Sequence, residues 1–153
     1  MKTTSVEEFY VIGLSVRTTV ENGKVIDDVS QLWNHFLLNN IRDQIPNKVD
    51  DTIYRIYADY ESDHTKPFTA IIGCRVNNLD NVPGGFSSKT IEGGKYMLMT
   101  AKGKPADGIV LLEWMKIWNA RKIPRAYKAD FEVYDEKAAD PEQAEINIFV
   151  SLK

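Results

Sequence analysis

The chain has 153 residues, 43% hydrophobic and 27% charged, with a formal net charge of −3. That length suits one domain with its own core. The scattered Lys and Arg residues form no concentrated basic face for neutralising phosphates, so no direct nucleic-acid binding is expected. The single cysteine, Cys74, rules out an internal disulfide, and no run approaches the roughly 20 apolar residues of a membrane span. The polar, acidic segment 1–8 is unlike a signal peptide, and a cytoplasmic location is expected.

In chain order, Phe9 to Thr19 reads as a strand rich in Val, Ile and Tyr. Asp27 and Asp28 offer caps for a helix from about Val29 to Gln44, with Pro46 just beyond its end. Val29, Leu32, Trp33, Phe36, Leu37 and Ile41 give that helix one broad apolar face. Two strands follow, Thr52 to Tyr60 and Phe68 to Val76, around the polar loop Glu61 to Pro67. Cys74 lies in the apolar run of the second strand and reads as a reduced core residue.

A linker holding Pro83, Gly84 and Gly85 then separates two halves of the same grammar. A strand covers Phe86 to Glu92, and Gly93-Gly94 turns into another, Lys95 to Ala101. Pro105 suits the first turn of a helix running to about Arg121. The strands Ala126 to Tyr134 and Glu145 to Leu152 close the chain. The tetrapeptide Ala58-Asp59-Tyr60-Glu61 returns as Ala129-Asp130-Phe131-Glu132. These features predict an α+β fold of duplicated β-α-β-β units, repeat one about 8–77 and repeat two about 86–153, within a single domain. Two main helices would pack on one shared antiparallel sheet about a pseudo-twofold axis, leaving an apolar cleft at the seam.

Strand alternation puts Asp130 with Glu132 and Tyr134 on one face, and Asp59 with Glu61. Tyr54, Tyr57, Tyr60, Tyr127 and Phe131 crowd the same segments, and the helices add Trp33, Phe36, Trp114 and Trp118. A carboxylate among aromatic walls suits a bulky organic cation, each ring contact contributing about 0.5–2 kcal/mol. Desolvation would raise the pKa of such a carboxylate and a bound cation would lower it again. The same aromatics equally serve as plain core, and Glu61, ahead of a polar loop, equally reads as solvated. His35, His64 and Cys74 are too few for a zinc site, and no phosphate-binding glycine loop or nucleophile elbow is present, so neither metal nor cofactor is expected.

Tyr57-Ala58-Asp59-Tyr60-Glu61-Ser62-Asp63, Val82-Pro83-Gly84-Gly85-Phe86, Gly94-Lys95-Tyr96, Ile117-Trp118-Asn119 and Ala129-Asp130-Phe131-Glu132-Val133-Tyr134, taken in this order, resemble the GyrI-like small-molecule-binding family. This is the effector-binding domain of many bacterial transcription regulators. The resemblance implies a cleft at the pseudo-dyad that takes hydrophobic cations through a buried glutamate among aromatics. Glu132 matches that glutamate, and Tyr96, Trp118, Tyr134 and Tyr57 match its walls, beside Trp33 and Phe36 from the helix pattern. With no room for a DNA-binding domain before Phe9, the resemblance is to a free-standing member that senses or sequesters its ligand. Some free-standing relatives hydrolyse cyclopropane-containing toxins, which would make Glu132 and Glu61, placed equivalently about the dyad, a catalytic pair. Others act through a protein partner, as gyrase modulators. Ligand binding without turnover is the leading expectation.

Overall fold

The segment Phe68–Val76 is apolar at almost every position, as required of a strand buried on both faces. In the structure, a computed structural model describing residues 2–153, it is β4 of an eight-stranded antiparallel sheet. The other strands are β1 (Lys2–Val6), β2 (Phe9–Thr18), β3 (Ile53–Ala58), β5 (Ser87–Ile91), β6 (Gly94–Gly103), β7 (Ala129–Tyr134) and β8 (Ala144–Ser151). The helices are α1 (Lys24–Leu38), the short α2 (Ile41–Gln44) and α3 (Ile109–Asn119).

The strand order β1-β6-β8-β7-β3-β4-β2-β5 is symmetric about its centre, with β3 beside β7, β4 matching β8, β2 matching β6 and β5 matching β1. This is the duplicated β-α-β-β arrangement with a pseudo-twofold axis between β3 and β7. Each half also carries a leading strand that the motif did not include, and the two are exchanged. β1 pairs with β6 of the second half, and β5 pairs with β2 of the first. The sequence reading assigns no strand to the segment 2–6, because Lys-Thr-Thr-Ser-Val lacks the apolar alternation of a half-buried strand. It forms an edge, where the inward demand on side chains is weaker.

Both main helices begin differently from the sequence reading. Asp27 and Asp28 do not cap α1; they lie inside it, with Asp28 paired to Lys24 at 2.7 Å. The helix starts at Lys24 after Gly23, whose φ of 70° is left-handed. It stops at Leu38 because Asn40 takes a φ of 51°, a conformation that asparagine tolerates better than most residues, and α2 follows as a separate turn. Pro105 opens a three-residue 3-10 turn, and α3 starts only after Gly108, with a φ of 73°. Gly108 stands to α3 as Gly23 stands to α1.

Alternation along the strands separates two cores. On one face Phe9, Val11, Ile56, Ile71, Ile91, Tyr96 and Phe131 form a cluster built from strands alone, so the sheet wraps around its own side chains. On the other face each helix covers its own half. Phe36 of α1 packs on Ile12, Ile53, Ile72 and Cys74. Trp114 and Ile117 of α3 pack on Met97, Ile146 and Ile148.

Candidate ligand-binding site

The central β3–β7 ladder sets Arg55 directly opposite Glu132 and Tyr57 opposite Asp130. Alternation sends Ile53, Arg55 and Tyr57 of β3, and Asp130, Glu132 and Tyr134 of β7, to the helix-covered face. The midpoint of this ladder falls beside the Arg55–Glu132 pair. That pair therefore straddles the pseudo-twofold axis, and Tyr57 and Tyr134 correspond across it.

Glu132 is fully buried and every bond it makes is to a donor. Arg55 Nε donates to Oε1 at 2.7 Å, and Tyr134 OH to the same oxygen at 2.5 Å. Tyr57 OH and Trp114 Nε1 donate to Oε2 at 2.9 and 2.7 Å. A second buried acid lies beside it. Asp130, also fully buried, accepts from Arg125 Nη2 at 2.8 Å, Tyr60 OH at 2.7 Å and the Ser151 N–H at 2.8 Å. Both acids are thus paired and hydrogen-bonded, which buried charges require.

These pairs set the protonation of their neighbours. Burial works against the charge on Arg55, but Glu132 outweighs it and holds the guanidinium protonated. Burial likewise opposes charge on Arg125, and Asp130 overcomes it. Burial, and then the adjacent Glu132, push the Tyr134 phenol well above its ordinary range, and burial raises that of Tyr57. Both phenols stay protonated and remain donors to the carboxylate.

On the helix-covered face of the sheet lies a cavity of about 250 Å³ between the N-terminal half of α1 and one side of α3. Val25, Ile26 and Val29 face it from α1, and Val110, Leu111, Trp114 and Trp118 from α3. Arg55, Tyr57 and Phe68 form the floor, while Tyr60, His64 and Arg125 close the end where β3 finishes and β7 begins. The rings meet edge to face: Tyr57 lies 5.5 Å from Trp114 and 5.8 Å from Phe68 between centroids.

Of the ligand-binding residues assigned from the sequence, Tyr57 and Trp118 line this cavity, joined by Tyr60 and Trp114 from the wider aromatic set. Glu132 and Tyr134 sit one layer behind it, screened by Arg55, Tyr57 and Trp114. Trp33 packs on Tyr134 at 5.1 Å, with the Arg55 guanidinium 5.8 Å over its ring. Phe36 is buried in the core under α1. Tyr96 lies on the opposite face of the sheet, its hydroxyl donating to the Glu92 carbonyl at 2.9 Å. Glu61 is exposed in the β3–β4 loop. The dyad relation expected between Glu61 and Glu132 is replaced by that of Arg55 with Glu132, because the ladder register, not the repeated tetrapeptide, sets the equivalence.

Arg55, Arg125, His64, Tyr60 and Phe68 were not assigned to the site from sequence. Arg55 had a usable signal, since it shares the strand parity of Tyr57. Arg125 and His64 lie outside the strands and had none. Among the described residues no group of side chains is arranged to hold a metal ion, and no helix is long and apolar enough to cross a membrane.

Two interlocked repeats, one helix each, with a ring-lined cavity over the central ladder, define a GyrI-like effector-binding fold. Residues 3–152 match the family described as Cass2, integron-associated effector binding protein, and the chain belongs to that family. It is 27% identical to the integron cassette protein VCH_CASS2 from the mobile metagenome of Vibrio cholerae, with a TM-score of 0.75 over 99% of this chain and 95% of that one. A structure of SAV2435 bound to tetraphenylphosphonium shares the fold, with a TM-score of 0.80 at 13% identity over 99% of this chain and 93% of that one. YobU of Bacillus subtilis (strain 168), described as a candidate transcriptional regulator, is 31% identical over 105 residues, which span 68% of this chain and 66% of that protein.

Proposed function

We propose that the cavity between α1 and α3 binds a small hydrophobic molecule bearing delocalised positive charge, and that the chain senses or sequesters it. One observation carries this reading. Two walls of the cavity, Tyr57 and Trp114, donate hydrogen bonds to a fully buried carboxylate. A ring whose O–H or N–H leans on an anion is more electron-rich, so its face attracts a cation more strongly. The aliphatic residues of the two helices supply the apolar contact and exclude water. Arg55 already compensates Glu132, so the attraction acts through the ring faces and not through a bare carboxylate. The tetraphenylphosphonium bound to SAV2435 supports the ligand class.

The hydrolytic alternative, as read from the sequence, needs Glu61 and Glu132 at one site. Glu61 is exposed and does not line the cavity, which favours binding over a glutamate-pair reaction. Thermal denaturation with tetraphenylphosphonium tests the proposal. At 100 times its dissociation constant the ligand stabilises by about 2.7 kcal/mol, a rise of several degrees for a domain of this size. Calorimetric titration should show weaker binding to Trp118→Ala and Glu132→Gln. A melt that no hydrophobic cation shifts, or undiminished affinity in both variants, overturns the proposal.

A further inference from the structure

We infer that the His64–Arg125 end of the cavity receives an oxygen acceptor of the ligand, a carbonyl or carboxylate, on the free N–H groups of Arg125. This rests on the cavity being the binding site, and it adds the polar half of the ligand to the apolar half described above.

Arg125 is only 5% exposed, yet it uses a small part of its donor capacity. Nη2 is bound to Asp130, whereas Nε and Nη1 are buried without a hydrogen-bond partner. Asp130 has nothing more to offer them. Its Oδ2 accepts from Arg125 and Tyr60, and its Oδ1 accepts from the Ser151 N–H and hydroxyl, which uses the lone pairs of both oxygens. The aromatic neighbours do not satisfy these nitrogens either. The Tyr127 ring centroid lies 4.4 Å from the guanidinium carbon and the Trp114 centroid 5.9 Å, and a ring face attracts the positive charge without offering its N–H groups the lone pair of an oxygen acceptor. A charged donor left unpaired in a protein interior is costly, and its persistence calls for a reason.

His64 supplies a second unpaired atom at the same end. Its Nδ1 is buried and without a partner, while its ring is stacked on Trp118 at 6.0 Å and on Tyr127 at 6.5 Å. Burial, followed by the positive charge of Arg125, lowers the pKa of His64. A neutral imidazole can present either a donor or an acceptor according to its tautomer. Arg125 and His64 both line the cavity, and their unpaired nitrogens lie just beneath its surface, so a ligand that parts the rings packed over them brings its oxygen to a guanidinium edge and an imidazole nitrogen together.

Three probes with one cationic body separate the possibilities: butyltriphenylphosphonium, carboxybutyltriphenylphosphonium and the methyl ester of the latter, each titrated calorimetrically into the protein. A charge-assisted hydrogen bond should make at least one oxygen-bearing probe bind about tenfold more tightly than the butyl compound. A lead for the acid identifies a carboxylate, and equal gains for acid and ester identify a carbonyl. Arg125→Lys keeps the charge opposite Asp130 but removes Nε–H and the planar fork, and it should abolish the advantage over the butyl probe. His64→Phe keeps the stacked ring without its nitrogens and should reduce that advantage, which provides a reading even if Arg125→Lys does not fold. Equal binding of all three probes, or an advantage that survives both substitutions, overturns this inference alone. Failure of every probe to bind overturns the cavity as the ligand site, and this inference with it.

Discussion

Glu132 and Arg55 are 77 residues apart in the chain and meet as direct register partners. Glu132 has no contact with water, while the Arg55 side chain keeps 20% of its exposure. Removing one member of such a pair is far more harmful than replacing both, because the survivor keeps its charge without its counter-charge. Glu132→Ala should therefore lower unfolding free energy by about 3 kcal/mol, toward the mild end of the range for buried pairs, since Arg55 retains partial access to solvent. The double variant with Arg55→Met should recover much of that loss. Urea denaturation of the four-member cycle checks this, and single effects that simply add would show that the pair is not coupled. Glu132 also anchors Tyr57, Tyr134 and Trp114, so part of its loss will persist in the double variant.

At the scale of elements, two glycines set where the helices begin and so where the cavity walls stand. Val110 and Leu111 of the cavity follow Gly108 almost at once, as Val25 and Ile26 follow Gly23. A Cβ on Gly108 would meet nothing within 4 Å, so the penalty for alanine there is the left-handed backbone alone. Gly108→Ala should cost about 1–2 kcal/mol and retain the fold. Gly73 in β4 is a different case. A Cβ there would stand 2.3 Å from the Ile12 carbonyl oxygen and 2.9 Å from the Gly13 Cα, both backbone atoms that cannot turn aside. Gly73→Ala should be the more damaging of the two by a wide margin, as circular dichroism and chemical denaturation would show. The reverse ranking would mean that the β2–β4 approach is looser than this geometry.

Over the whole molecule, the exchange of leading strands ties the halves together. β1 precedes β2 in the chain but lies across the sheet on β6, and β5 precedes β6 but lies on β2. Each half thus completes the sheet edge of the other, and the central ladder joins them a third time. Deleting residues 1–7 would strip β6 of the partners of Gly94 to Leu98 and leave an open strand edge. Unpaired edges recruit other chains. The truncated protein should be less stable and self-associate, as light scattering against concentration would reveal. A truncated chain that stays monomeric with an unchanged melt would show that β1 adds nothing to the architecture.

The sequence by itself determined the kinds and order of the main elements from β2 onward, the duplication, and the fact that Glu132 and Tyr134 share a face, because the periods of strand and helix are local properties written in consecutive residues. It also placed aromatic rings near the seam, with Tyr57 and Trp118 among the cavity walls. Only the tertiary structure decided what stands opposite Glu132. The repeated Ala-Asp-aromatic-Glu tetrapeptide pointed to Glu61, whereas the antiparallel register delivered Arg55. Register depends on hydrogen bonds and packing between segments far apart in the chain, and a one-residue change in it reverses every face. The same non-local choice carried Tyr96 to the far side of the sheet and brought Arg125 and His64, from two separate loops, to one end of the cavity.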